Sequence, residues 1–488
     1  MSLVKWIGLP SGPLAALLAY HLVPERLLDP ATGATLEVSA AARATVAVLV
    51  WMAIWWLTEA VEIEATSLLP LAVFPLLGIR SIREAAAPYA SDVIFLFLGS
   101  FILAAALQRW SLDRRIALLT LRLVGTRPDR MVAGLMLATA AMSGFVSNTA
   151  TAAMMLPIAL SLTDVATSRS GTSLAPEETA RFSRSALLGI AYAASIGGMV
   201  TLVGTPPNLF LAGFARDAWD IDLSFVRWLG VGLPLGVIML PAVWLLLTRV
   251  LFPISTLDLG LDAAGLRRRY EELGPPGRGE IATFLVFILT AGAWLTRPFL
   301  PVPGLSDAGI AMIAAVVLFV IPVDPKRRVF VMEWQTARKL PWGVLLLFGG
   351  GLSLALAVEA NGVDRLIATR AALLANWPAV ATVAAVTAAT VFLTELTTNT
   401  ATAATLVPIL AAAAPGLGID PLVLVTAVAL SASCAFMLPV ATPPNAIVFG
   451  SGHIRMPDMM RAGIWLNLLS IIVITILAFT AVPWALGR

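Results

Sequence analysis

The sequence predicts an all-α polytopic membrane protein, with about eleven transmembrane helices plus two re-entrant hairpins in two inverted-topology repeats. Three observations carry this. Hydrophobic residues make up 59% of the 488 and charged residues 12%, with mean hydropathy +0.90; soluble chains hold roughly a quarter charged residues. Apolar runs of roughly 20 residues recur, favouring helices over the short alternating strands of a barrel. Finally, Ser147-Asn148-Thr149-Ala150-Thr151-Ala152-Ala153 returns as Thr398-Asn399-Thr400-Ala401-Thr402-Ala403-Ala404. The copies run on to Pro157-Ile158 and Pro408-Ile409, and Gly99/Gly350 and Asp113-Arg114/Asp364-Arg365 keep the same offset of 251 residues. A second doublet follows, Gly204-Thr205-Pro206-Pro207-Asn208 and Ala441-Thr442-Pro443-Pro444-Asn445.

The N-terminus has Lys5 and an apolar stretch but no convincing small-residue cleavage site, so it reads as a retained first helix over about 5–25 rather than a signal peptide. A polar, external segment with Pro24, Glu25 and Asp29 follows. Helices over about 41–58 and 65–80 are joined by Thr58-Glu59-Ala60-Val61-Glu62-Ile63-Glu64. The run at about 91–108 leads into Arg109, Arg114, Arg115, Arg122, Arg127 and Arg130. Helical apolar periodicity between these arginines predicts an amphipathic surface helix, and their density marks the cytoplasmic side.

The apolar segment 131–163 is too long for one span and holds Ser147-Asn148-Thr149 at its middle. Two half-helices meeting at a polar tip account for both features, with the polar linker 164–183 returning to the entry side. The span at about 184–213 must break at Pro206-Pro207, because two prolines cannot continue the hydrogen-bond ladder. A span at about 228–252 returns to a loop with Arg267-Arg268-Arg269 and Arg278.

The second half repeats the plan. Spans at about 281–298 and 306–322 lead to Lys326-Arg327-Arg328, then come a span at 341–360, a surface helix at 361–376, a hairpin at 378–414, a broken span at 419–450 and a last span at 461–484. The expected units are an N-terminal helix (1–40), a first repeat (41–252), a cytoplasmic linker (253–280) and a second repeat (281–488). With the N-terminus inside, the basic loops 109–130, 253–279 and 323–340 all fall in the cytoplasm, as expected of a protein of the cytoplasmic (inner) membrane. The hairpins then enter from opposite faces, so their tips can meet near the midplane.

At each tip one half-helix ends and another begins, so free carbonyls and free amides lie side by side. Carbonyl, hydroxyl and Asn oxygens suit a hard cation such as sodium; the amides suit an anion. The prolines of the second doublet release further carbonyls. No Lys or Arg occurs in the four segments, so an anion there needs bound cations and helix dipoles to balance it, which is symport. The bland alternative is helix packing by small hydroxyl residues; duplication in register favours a site.

Glu59, Glu62 and Glu64 are either a proton relay or gate, or solvated residues of a helix boundary. Glu395, within the second hairpin, is a candidate coupling carboxylate whose repeat counterpart is Gly144. His453 reads as interfacial, Ser433, Cys434 and Met437 as packing, and Trp51, Trp55 and Trp56 as an interfacial and packing cluster. A net charge of +3 gives no reason to expect nucleic acid, one cysteine excludes an intrachain disulfide, and two histidines supply no metal cluster. A membrane-embedded enzyme would need a nucleophile and base or a metal set at depth, and no Cys-His pair or aspartate dyad is offered. A channel is disfavoured by inverted hairpins around a midplane site.

Trp55-Trp56-Leu57-Thr58-Glu59-Ala60, Phe97-Leu98-Gly99 and the two doublets give the chain its resemblance to the divalent anion:sodium symporter family, the INDY-type carriers of dicarboxylates, citrate or sulfate. The resemblance covers nearly the whole chain. It implies a homodimer with a scaffold domain and a mobile transport domain working as an elevator, no cofactor, and sodium as co-transported ligand. One sodium would match Ser143, Ser147, Asn148 and Gly204, and a second Thr394, Thr398, Asn399 and Ala441. A dianionic substrate would meet Ser147, Asn148, Thr149 and Thr205 on one side and Thr398, Asn399, Thr400, Thr442 and Pro443 on the other. Thr398 stands where the family usually has serine, and Thr205 where serine is also common. Both keep a hydroxyl, which leaves succinate-like acids, citrate and sulfate open. The absence of a long soluble insertion favours C4-dicarboxylates, and the retained Asn and hydroxyl residues favour sodium over sodium-independent exchange.

Overall fold

The computed structural model describes residues 3–28, 35–125, 127–168, 176–254, 268, 270–300, 302–372 and 376–487. Asp29, Arg267, Arg269 and half of the linker 253–280 lie outside them. The chain is mostly helical, with two small antiparallel ribbons, Arg26–Leu28 with Thr35–Glu37 and Pro322–Asp324 with Val329–Phe330. Among the described residues six helices are long and apolar enough to cross a membrane: Ala40–Thr58, Ile82–Arg109, Phe225–Leu251, Arg278–Phe299, Trp342–Ala360 and Met456–Ala485.

Local chemistry sets many of the ends. Ser39 accepts from the Ala42 amide at 3.0 Å to start Ala40–Thr58, and Ser224 and Ser306 cap Phe225–Leu245 and Asp307–Val320 in the same way. The first helix, Leu3–Leu22, lies along Ala40–Thr58, with the Trp55 indole donating to the Leu9 carbonyl and Lys5 3.3 Å from Glu59. That ion pair places Glu59 at a helix boundary. Trp56 is buried and donates to the Ile63 carbonyl, while Trp51 and Trp55 pack edge to face.

The expected helix over 65–80 is instead broken into Ile63–Thr66 and Leu69–Val73, ending in a turn at Gly78 (φ +63) before Ile82–Ala86. Pro70 and Pro75 remove backbone donors, so apolar composition there does not make one continuous rod. The expected surface helices are present as Leu112–Val124 and Val363–Ala371, each with its Asp-Arg pair in the first turn.

Helix packing separates two groups. In one, Ala40–Thr58, Asp92–Arg109, Arg278–Thr296, Asp307–Val320 and Trp342–Ala360 pack on each other, with Leu3–Leu22 at the edge. In the other, Pro128–Ser143, Asn148–Ser168 and Pro176–Val200 pack together, and Phe225–Leu245, Ala379–Thr394, Asn399–Ala413, Pro421–Ser431 and Met456–Ala485 join them. Pro206–Trp219 also belongs to this second group, and the groups meet mainly where it lies against Trp342–Ala360 and Asp92–Arg109, and where Asn399–Ala413 lies against Ala40–Thr58 and Trp342–Ala360.

Candidate functional site

Both repeated motifs fold as helix, short tip, helix. Pro128–Ser143 and Asn148–Ser168 flank the first tip, Ala379–Thr394 and Asn399–Ala413 the second. Both Pro-Pro motifs restart a helix after a break. Pro176–Val200 gives way to Pro206–Trp219, and Pro421–Ser431 to Pro443–Phe449, with Pro in the first turn where its missing N–H costs nothing.

In the first half, Ser143 Oγ lies 2.7 Å from Asn148 Oδ1 and 2.7 Å from the Ala194 carbonyl oxygen. A hydroxyl has one proton, so three oxygens converge with a single hydrogen between them, an arrangement that attracts a hard cation. Gly204 completes the cradle: a Cβ there would come within 2.5 Å of the Gly198 carbonyl and 3.0 Å of the Gly144 carbonyl. A Cβ on Gly198 would sit 2.5 Å from Asn148 Oδ1, so only glycine allows these backbones to close on the amide. Thr201 donates to the Gly144 carbonyl, and Asn208 Nδ2 donates to the Gly198 and Thr201 carbonyls at 3.2 and 2.8 Å, fixing the break.

The second half repeats this with other residues. Thr394 Oγ1 lies 3.1 Å from Asn399 Oδ1 and 2.8 Å from the Ala432 carbonyl. Asn445 Nδ2 donates to the Ala435 and Leu438 carbonyls at 3.1 and 3.0 Å. Asn208 Oδ1 and Asn445 Oδ1 are both buried without a hydrogen-bond partner. The N-cap hydroxyls of Ser147, Thr398 and Thr442 accept from the Ala150, Ala401 and Asn445 amides, each at 3.3 Å. Thr205 is buried at its N-cap position without a side-chain cap bond, and Ala441 is buried; Ser147, Thr149 and Pro443 are exposed, and Asn148 and Thr400 half-buried.

Each tip helix packs on the Pro-Pro helix of the other half, Asn148–Ser168 on Pro443–Phe449 and Asn399–Ala413 on Pro206–Trp219. A helix N-terminus, whose first amides have no intrahelical partner, therefore stands at each of the four motifs. The predicted residues thus assemble in two sets, Ser143, Asn148 and Gly204 in one and Thr394 with Asn399 in the other.

This arrangement occurs in a chain whose residues 26–486 match the family described as the sodium:sulfate symporter transmembrane region. The chain belongs to the sodium:sulfate symporter family. Its relatives include the sodium-dependent dicarboxylate transporter SdcS of Staphylococcus saprophyticus, 39% identical over 490 residues, covering 99% of this chain and 92% of the relative. SdcS of Staphylococcus aureus is 38% identical over 447 residues, covering 90% and 86%. In fold the chain is similar to the Alcanivorax borkumensis YdaH transporter (TM-score 0.58, 15% identity, 100% and 99% covered). The Neisseria gonorrhoeae MtrF structure is also similar (TM-score 0.57, 12% identity, 98% and 94% covered). Family and apolar helices together make this an integral membrane transporter, not an enzyme.

Some residues of these oxygen clusters carried no sequence signal. Ala194 and Ala432 act through main-chain oxygens, which any residue would supply. Glu395, by contrast, stands out in sequence, and its partners are now visible. It is buried and accepts from the Phe436, Met437 and Leu438 amides at 2.8, 2.9 and 3.0 Å and from Asn467 Nδ2 at 2.8 Å. These amides belong to the segment joining Pro421–Ser431 to Pro443–Phe449, so Glu395 organises the longer second break. At its repeat counterpart, Gly144, the shorter first break is tied by Thr201 instead. Cys434 is buried and His453 exposed, as expected of packing and interfacial residues.

Proposed function

We propose that this chain is a sodium-coupled secondary-active symporter of divalent anions, taking C4-dicarboxylates such as succinate, fumarate and malate. The observation that carries this is the duplicated oxygen cradle, Ser143–Asn148–Ala194 in one half and Thr394–Asn399–Ala432 in the other. One sodium would occupy each cradle, at Ser143, Ser147, Asn148 and Gly204 and at Thr394, Thr398, Asn399 and Ala441. The dianion would lie between, on the free amides and hydroxyls of Ser147, Asn148, Thr149, Thr205, Thr398, Asn399, Thr400 and Thr442, with Pro443 beside it. With no basic side chain in these segments, substrate charge is balanced by the cations, and neither ligand binds well alone. The names of the SdcS relatives support both sodium and a dicarboxylate.

The two packing groups support an elevator in two inverted repeats (41–252 and 281–488). The group holding both hairpins would be the transport domain and the other the scaffold. The protein would work as a homodimer in the cytoplasmic membrane with its N-terminus inside. The test is labelled succinate uptake into liposomes under an inward sodium gradient, with choline in its place as control and fumarate, citrate and sulfate as competitors. Sodium-dependent uptake blocked by dicarboxylates and lost in Asn148→Ala and Asn399→Ala is the expected result. Uptake in choline that needs internal dicarboxylate would make the protein an exchanger, and transport of sulfate alone would overturn the substrate.

A further inference from the structure

Contacts between the two groups are lopsided. On the face away from the arginine-rich loops, Pro206–Trp219 packs on Asp92–Arg109 and Trp342–Ala360, and Asn399–Ala413 packs on Ala40–Thr58 and Trp342–Ala360. On the arginine-rich face the contact is slighter: Val146 and Ala150 at the first tip pack on Ala104 and Leu107 of Asp92–Arg109, and Phe145 meets Phe287 edge to face at 4.9 Å, while Pro443–Phe449 packs on its own group. By the positive-inside rule the closed face is external and the open one cytoplasmic.

Polar ties sit on that closed face. Arg297, at the end of Arg278–Thr296, pairs with Asp222 at 2.7 Å, a residue in the turn before Phe225–Leu245 of the other group. Asp307 holds the guanidinium from its own group at 3.1 Å. The second Asp307 oxygen accepts from the Phe225 amide at 2.8 Å, again across the boundary. The Phe225 ring stacks on Trp294 with centroids 5.0 Å apart, and the Trp294 indole donates to the Asp307 carbonyl at 3.0 Å. Nearby, Ser91 of the first group donates to Asp217 of the second at 3.3 Å.

We infer that Arg297 and Asp307 form an external latch, which clasps Asp222 and the Phe225 amide and holds the carrier in its cytoplasm-open state. This rests on the two-domain reading above. Arg297 is a positioning residue: it touches no substrate and acts by setting how often the site faces outward. Asp307 keeps the guanidinium aimed when the other domain leaves, so the latch re-forms on return. A cavity of about 70 Å³ bordered by Asp92, Arg216, Asp222, Arg297 and Asp307 gives water a route to the pair as it parts.

The latch makes a one-sided prediction. If the outward state is the minor one, the external apparent KM is the intrinsic value divided by the outward fraction, while the cytoplasmic KM hardly feels a small change. Asp222→Asn should lower the external KM for succinate about threefold, as expected for a half-exposed pair, and leave the cytoplasmic KM in inside-out vesicles unchanged. Arg297→Gln should do the same or more, and the double variant no more than Arg297→Gln alone, because both remove one interaction. A melting curve for each variant in detergent checks the fold, and Asp222→Asn carries the test if Arg297→Gln does not fold. Unchanged external KM, equal shifts on both faces, or additive shifts in the double variant would overturn the latch. Wild-type protein that shows no sodium-driven uptake would overturn the symport reading instead.

Discussion

Asn467 donates its side-chain amide to the Glu395 carboxylate at 2.8 Å, tying the last long helix to the second hairpin at a fully buried point. With the three consecutive main-chain amides of residues 436–438, Glu395 has four donors. Removing the acceptor strands all four, and each buried unpaired donor costs about 1–3 kcal/mol. Glu395→Ala should therefore melt well below wild type in detergent. Glu395→Gln keeps one carbonyl acceptor and should lose less stability, but its sodium half-saturation should rise, because the segment it holds leads to Ala441 and Thr442. Wild-type melting in Glu395→Ala would show that the segment does not depend on this carboxylate.

The cradles make a paired prediction. Ser143→Ala and Thr394→Val each delete one hydroxyl that approaches an Asn oxygen and a main-chain carbonyl. Losing one ligand oxygen worth about 1–1.5 kcal/mol should raise the sodium half-saturation of uptake roughly tenfold in either variant. Succinate affinity at saturating sodium should change little. A loss of succinate affinity with sodium response intact would instead assign these hydroxyls to the anion.

Much of this site was legible because it was written twice. The repeated Ser/Thr-Asn-Thr and Thr-Pro-Pro-Asn segments become tips and breaks, and proline chemistry alone locates Pro206 and Pro443 at helix starts. The helix expected over 65–80 failed because hydropathy does not see what Pro70, Pro75 and Gly78 do to a ladder. The Ala194 and Ala432 carbonyls were invisible because main-chain ligands have no letter of their own. Asp222 lies 75 residues before Arg297 and both stand outside any motif, so only tertiary packing brings Asp222 to Arg297 and Asp307.

Asp217 predicts a response to external pH. It lies half-buried in the last turn of Pro206–Trp219. Burial, and secondarily the like charge of Asp92, push its carboxyl up to about 6, against the opposing Ser91 hydrogen bond and Arg216 charge. Its neighbours Asp92 and Arg216 border the same cavity as Asp222, Arg297 and Asp307. If the carboxyl is hydrated in the outward state, its value there returns to about 4. The conformation with the higher value binds the proton more tightly, so acid favours the closed external face, and this advantage is lost as pH rises through about 6. External KM, measured at constant dianion concentration, should rise as external pH falls from about 7.5 to 5.5. Asp217→Asn should flatten the response, and an identical profile in that variant would remove Asp217 from it.

A separate apolar contact closes the same face. Phe210, in the first Pro-Pro helix, lies over Gly351 of Trp342–Ala360, and its ring is 5.6 Å from Phe348, which stacks on Phe97 at 4.4 Å. A Cβ on Gly351 would come within 2.5 Å of Phe210 Cε2, a distance real Cβ atoms do not tolerate, so Gly351→Ala must push the ring or the helix away. Overpacking of this kind costs about 1–3 kcal/mol, and here it penalises only the state in which the two surfaces touch. The outward fraction should grow, lowering the external KM for succinate without altering the sodium half-saturation at the cradles. Phe210 touches neither the latch nor the cradles in this structure, so Gly351→Ala combined with Asp222→Asn should give additive shifts, unlike the Asp222–Arg297 pair. A lowered thermal midpoint with KM unchanged on both faces would mean that the contact serves the folded domain alone and takes no part in switching.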